Sequence, residues 1–245
     1  MKKGFLITSF VVLTLCLILV GCGDKKEESD SGSSDKKANE WFLYGMTVND
    51  NKINDPTVKF MKAAQEYETE LEPISLLGSQ VVAGTNYMFL ARVTQYKNSG
   101  ELLDSADLRV AILYVDLNGN ATITKDTKLD ITKYALKDVS VPQEQLAGGW
   151  TVNKTFINDK SYNSSTDEQI NKATETLLGA DYKPIAILAN KHGEGEEIYD
   201  AILCLKTTVT AEPSYSLVVL TTKTSDGENY SLESIADFNL ADYNK

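Results

Sequence analysis

The sequence predicts an α+β protein made of two copies of one unit, each a single helix packed across a four- or five-stranded antiparallel sheet. Two stretches, residues 41–134 and 148–245, carry the same order of events. Each holds one segment of helical periodicity, then four runs rich in Val, Ile, Tyr and Thr. Turn residues separate the runs at corresponding places, and self-similarity at this scale points to a repeated structural unit.

The first helix is expected over 55–71, where Asp55 can cap and Pro56 takes the first helical position. Phe60, Ala64, Tyr67 and Leu71 recur on one face. Strands are expected over 73–82, 85–96, 108–116 and 121–130. The second helix is expected over 165–178, with Thr166 and Gln169 in a capping-box pattern and Gly179 as its stop. Its apolar stripe is Ile170, Ala173, Leu177 and Leu178, and its strands are 182–191, 198–209, 215–224 and 230–238. Asn118-Gly119 and Asp226-Gly227 read as matching two-residue hairpin turns. Asn86-Tyr87-Met88-Phe89-Leu90-Ala91 aligns with Tyr199-Asp200-Ala201-Ile202-Leu203-Cys204. The units are placed at 40–135 and 148–245, joined by a linker over 136–147 that contains Pro142. Each has the size of a small domain able to bury one modest core.

The N-terminus has a different character. Lys2 and Lys3 precede an almost unbroken apolar run from Phe5 to Val20, closed by Gly21 and Cys22. A positive start, an apolar stretch and a small residue before a cut describe a signal peptide over 1–21. Leu19-Val20-Gly21-Cys22 resembles the lipobox of bacterial lipoproteins. That resemblance implies lipid on Cys22 and an extracytoplasmic, cell-membrane-anchored product, with two acyl chains giving a stable anchor. Residues 22–39 are polar and charged, too poor in apolar side chains to offset ordering entropy, and read as a flexible tether.

The net charge is −11 from 24 basic and 35 acidic residues. Such a chain has no electrostatic footprint for nucleic acid, and any membrane affinity falls to the lipid. Cys16 leaves with the signal peptide and Cys22 is lipidated, so Cys204 stands alone as a small buried hydrophobe in an apolar strand. His192 is the sole histidine and lies in a loop of Gly and Glu. Asp116-x-Asn118-x-Asn120 lacks the Gly and closing Glu of a calcium loop, and Glu196-Glu197 with His192 lacks further metal ligands. No phosphate loop, zinc-protease motif or serine elbow occurs, so neither an enzyme nor a cofactor is expected.

The string Gln80-Val81-Val82-Ala83-Gly84-Thr85-Asn86-Tyr87 falls at the hairpin that follows the first helix and strand. It resembles the Gln-x-Val-x-Gly hairpin of the cystatins, inhibitors of papain-like cysteine proteases. The resemblance implies two cystatin-like domains in tandem and a non-covalent wedge entering a protease cleft. Gln80, Val81, Val82, Ala83 and Gly84 would form its first hairpin, Asn118 and Gly119 its second, and Gly45 its N-terminal glycine. The cystatin second hairpin usually carries Pro-Trp, which Leu117-Asn118-Gly119-Asn120 lacks. Gly148-Gly149-Trp150 looks like a cystatin start, but the second unit's tip, 192–197, is acidic and lacks the inhibitory signature. The alternative function is a non-inhibitory binding or adhesion lipoprotein on the same scaffold. If the lipobox reading holds, Cys22→Ala will block maturation, and detergent-phase partitioning of a normally cleaved variant would refute it.

Overall fold

The computed structural model describes residues 40–47, 54–96, 101–134, 150–152 and 160–245. The expected signal peptide, Cys22, the expected tether to residue 39 and the expected linker over 136–147 lie outside the described residues. Among the described residues no helix is long and apolar enough to cross a membrane.

The first half runs β1 (Trp41–Thr47), α1 (Asn54–Glu66), β2 (Thr69–Val82), β3 (Gly84–Tyr96), β4 (Glu101–Val115) and β5 (Ala121–Lys128). The second runs β6 (Thr151–Val152), α2 (Lys160–Thr174), β7 (Ala180–His192), β8 (Ile198–Thr208), β9 (Tyr215–Thr224) and β10 (Ser231–Asp237). Each half is one antiparallel five-stranded sheet in sequential order, so the α+β class holds.

Several boundaries differ from the sequence expectation. β4 begins at Glu101 and not near 108, and α2 ends at Thr174, which leaves Leu177 and the exposed Leu178 outside it. The first helix stops at Glu66 and the chain is already a strand at Thr69. Thr69, Leu71 and Pro73 are buried between exposed or half-exposed Glu70 and Glu72, so period-two burial of Leu71 wins over its place on the helical stripe. The second helix starts at Lys160, so Thr166 and Gln169 are not its cap. Both lie within the helix and are buried.

Strand alternation sorts side chains into two kinds of core. Phe89, Ala91, Ala111 and Leu113 face α1 with Phe60, Ala63 and Ala64. Ile187, Ile202, Cys204, Val218 and Leu220 face α2 with Ile170. The intervening residues, Met88, Leu90, Val110 and Ile112 from one sheet and Leu188, Ala201, Leu203 and Val219 from the other, form a single central cluster. The order of layers is therefore helix, sheet, sheet, helix. Each sheet is buried on both faces, which is why Met88–Ala91 and Ala201–Cys204 are apolar without interruption.

The two halves close on each other through equivalent parts. After β5, Asp130 caps a 3-10 turn, Ile131–Lys133, and after β10 Asn239 caps another, Leu240–Tyr243. Ile131 and Leu240 are both buried in the central cluster. Gly78 makes room for this: a Cβ there would lie 2.8 Å from both the Leu240 side chain and the Phe42 carbonyl. Tyr134 and Tyr243, the matching residues after each turn, share a hydrogen bond of 2.8 Å between their hydroxyls. Phe238 packs beside both rings, at 5.2 and 5.3 Å. Equivalent residues that touch each other mark a pseudo-two-fold axis.

Halves cut within the linker would each expose an inner apolar face. Residues 40–138 and 145–245, made separately, are expected to melt well below the joined chain or to associate when mixed. Independent monomeric melts at the intact chain's temperature, seen by circular dichroism, would contradict this.

Candidate functional site

The β2–β3 hairpin and the β4–β5 loop lie side by side at one end of the first sheet. Val82 pairs with Gly84 around Ala83, and Thr85 pairs with Val115, the last residue before the second loop. Trp41, at the start of β1, pairs with Gln80. Val81 and Ala83 are exposed, Val82 is half-buried and Leu117 is 84% exposed. The structure thus brings Gln80–Gly84 and Asn118–Gly119 together. Gly45 falls elsewhere, inside β1 between the residues that pair with Gly78 and Leu76. It lies four positions along the strand from Trp41, about 13 Å away.

The hairpin is held tightly from within. Gln80 is buried, and its Oε1 accepts a hydrogen bond of 3.1 Å from the Asn86 side chain. The Tyr114 hydroxyl donates to the Ala83 carbonyl. Gly84 has φ of +123°, and a Cβ there would collide with the Val115 carbonyl and the Tyr114 ring. Its glycine is needed by the sheet itself, whatever binds outside.

Asn118-Gly119 is not a two-residue turn. The loop spans 116–120, because the Asp116 carboxylate organises a wider one: Oδ1 accepts from the Asn118 and Asn120 amides, both at 2.8 Å. The Asn120 side chain adds a bond to Oδ2. These bonds hold the Asp116 carboxyl below its usual range, the Asn120 side chain contributing most. The second half repeats the device. Asp226 accepts from the Glu228 and Asn229 amides at 2.9 and 2.8 Å, so Asp226-Gly227 also sits in a wider loop.

The second half's own tip, after His192, differs. Glu197 pairs with Lys223 at 2.6 Å and accepts from the Tyr199 hydroxyl at 3.1 Å, while Glu194 and Glu196 are exposed. Cys204 is fully buried, and burial pushes its thiol far above the ordinary value. It is not a reactive nucleophile.

One group escaped sequence reasoning. The Gln169 side-chain amide, on α2, donates to Asp200 Oδ2 at 2.7 Å and to Thr222 Oγ1 at 2.8 Å. Asp200 and Thr222 are cross-strand neighbours on β8 and β9. The capping-box pattern had drawn Gln169 to a helix end, and a lone Asp inside a strand gave no spacing to read. Burial raises the Asp200 carboxyl pKa, against the Gln169 hydrogen bond and the His192 charge, which lower it.

No protein-family model and no curated protein matches the chain. Among solved structures it is similar to an "Ntf2 like protein involved in plasmid conjugation", at 8% identity over 69% of this chain and 78% of that one, with a TM-score of 0.22. A likeness that weak carries no argument here.

A carboxyl whose pKa is raised on folding binds its proton more tightly in the native state. Its contribution is therefore fully present below the ordinary Asp value of 3.8 and is lost as pH rises through the folded value. Urea midpoints measured from about pH 4 to about pH 7 should fall with pH in the wild type by more than in Asp200→Asn. Parallel curves would show that Asp200 is not shifted.

Proposed function

We propose that the chain is a membrane-tethered, non-enzymatic binding protein that engages another extracytoplasmic protein through the hairpin end of its first sheet. The partner class suggested by the Gln-x-Val-x-Gly likeness is a papain-like cysteine protease. The observation that carries this reading is the convergence of two loops and the start of β1 at one end, with Val81, Ala83 and Leu117 exposed on it. Apolar side chains at hairpin tips cost solvation unless something covers them, and clustered anchors of this kind dominate interfaces.

The cystatin-like reading of the wedge rests on two of its three parts, since Gly45 lies within β1. That absence favours a second reading at the same surface, a binding lipoprotein that does not inhibit proteases. In either case the lipobox and the polar tether support a position outside the cytoplasm, held by lipid on Cys22. The second half's tip, closed by the Glu197–Lys223 ion pair and flanked by exposed Glu194 and Glu196, is a poor apolar wedge.

Residues 40–245 are to be titrated against several papain-like enzymes with active-site labelling of the protease as readout. Val81→Asp and Leu117→Asp should each weaken inhibition by about 2 kcal/mol, roughly thirtyfold in Kd, with unchanged melting temperature. Glu196→Ala in the second half should change nothing. If the wild type leaves every enzyme active at tens of micromolar, the non-inhibitory reading replaces the inhibitor.

A further inference from the structure

The two sheets end on edges that occupy equivalent places but differ in chemistry. β5 ends the first sheet and β10 the second, and among the described residues no strand pairs with the outer side of either. Leu129 donates to the Leu108 carbonyl and Phe238 to the Leu217 carbonyl, both at 2.8 Å, so these two residues correspond. Counting back from them, Asp126 of β5 corresponds to Ile235 of β10, and Lys128 corresponds to Asp237.

In an antiparallel ladder each residue turns both of its backbone groups toward one neighbour, and the next residue turns them the other way. Phe238 and Ala236 turn theirs toward β9, so the N–H and C=O of Ile235 and Asp237 point outward. By the same parity Asp126 and Lys128 carry the open groups of β5. Register slips in both strands, between Ile123 and Lys125 and between Leu232 and Ser234. That bulge belongs to the fold and does not distinguish the edges.

Side chains do distinguish them. Lys128 is 72% exposed, a cation standing beside the open groups of β5. Asp126 is drawn inward, accepting from the Tyr67 hydroxyl at 3.1 Å and lying 3.4 Å from Arg109. Lysine on an edge strand discourages further strands from adding to it. β10 has no lysine, arginine or proline from Ser231 to Asp237. At the place of Asp126 it carries Ile235, 41% exposed, and at the place of Lys128 the exposed Asp237. Glu233 is a second exposed carboxylate on the same strand. Lys223, across from Ser231, has its ammonium engaged by Glu197 at 2.6 Å. One edge is guarded, and the other is open, apolar at its middle and negative beside it.

We propose that β10 is a docking edge for an extended basic segment of a partner protein, which adds antiparallel as a sixth strand. Two alternate residues of the segment exchange backbone hydrogen bonds with Ile235 and Asp237. The one opposite Ile235 is apolar and the one opposite Asp237 is basic, because opposite charges directly across a strand pair attract. The chain's net charge of −11 favours a cationic partner further. This edge lies in the second sheet and does not rest on the hairpin end of the first, which its test leaves untouched.

The test titrates the full chain with the peptide acetyl-Lys-Thr-Val-Thr-Lys-amide, whose Val falls opposite Ile235 when its first Lys falls opposite Asp237. The readout is the NMR signal of the Ile235 and Asp237 backbone amides. Saturable shifts with a Kd of roughly 0.1–1 mM are expected, with slowed hydrogen exchange at both amides. Methylating the Val nitrogen removes a ladder donor and keeps the charge, whereas exchanging both Lys for Glu keeps the ladder and reverses the charge. Each change should weaken binding at least about tenfold. Ile235→Pro removes a donor that β9 does not use, so the chain should stay folded while peptide affinity falls as far. Equal binding of the methylated peptide, or unmoved amides at 235 and 237, would overturn the proposal. So would shifts at those amides that follow protein concentration without peptide, because a second copy would then occupy the edge.

Discussion

The burial of the two sheets against each other is the constraint on which the rest of the structure depends. A sheet flanked on one side by a helix still has a second face to remove from water. Here the second face of each half is closed by the other half through a cluster running from Ile74 to Tyr243. Strands in this arrangement need apolar residues at successive positions, not at alternate ones. The chain supplies them in Met88–Ala91 and Ala201–Cys204, every residue of which is out of solvent. The ends of the sheets must then be sealed. The two 3-10 turns do this by sinking Ile131 and Leu240 into the same cluster, leaving Tyr134 and Tyr243 to meet hydroxyl to hydroxyl.

Pseudo-symmetry separates what the fold requires from what it merely permits. Features present in both halves answer to the scaffold: the capped 3-10 turns, the buried Thr57 and Thr166, and the loops in which the Asp116 and Asp226 carboxylates each accept from two backbone amides. Features present in one half do not. The apolar tip at Val81 to Ala83 has an acidic counterpart at Glu194 to Glu197, and the apolar trio of Phe60, Tyr87 and Leu113 has a polar one. Divergence under equal packing constraints is the physical reason for seeking function where the halves differ and not at the turns they share.

Much of the element order was legible in the sequence. Strands rich in branched and aromatic residues, bounded by Gly, Asn and Asp, are readable in their order, and to the residue in β9, although β2 and β4 begin several residues earlier than their composition suggests. What failed was local evidence pulling against burial. Leu71 continued a helical stripe that also fitted a strand, and Thr166 with Gln169 mimicked a cap in the middle of a helix. The second buried face was written in the uninterrupted apolar runs, but a run alone does not say what covers it. Gly45 looked like an N-terminal glycine by position in the chain, whereas pairing register carried it away from the hairpin end. The hydrogen bonds of Gln169 to Asp200 and Thr222 are invisible in the sequence because the three residues come from a helix and two strands, brought together only by packing.

The hairpin of the first half shows how a motif can have two physical origins at once. Gly84 is required because its neighbours Tyr114 and Val115 leave no room for a side chain, and Gln80 is held by Asn86 within the sheet. Those two positions of the Gln-x-Val-x-Gly string are thus accounted for by folding, and a substitution there tests stability before it tests recognition. Val81 and Ala83 are different, since they face water and their identity is not set by packing around them. Leu117 shares that status on the neighbouring loop. Whatever recognition occurs at this end must therefore be carried by side chains that the fold does not need, on a backbone that it rigidly fixes. A pre-set tip of this kind loses little entropy on binding, which lets a small apolar contact count for more than its area.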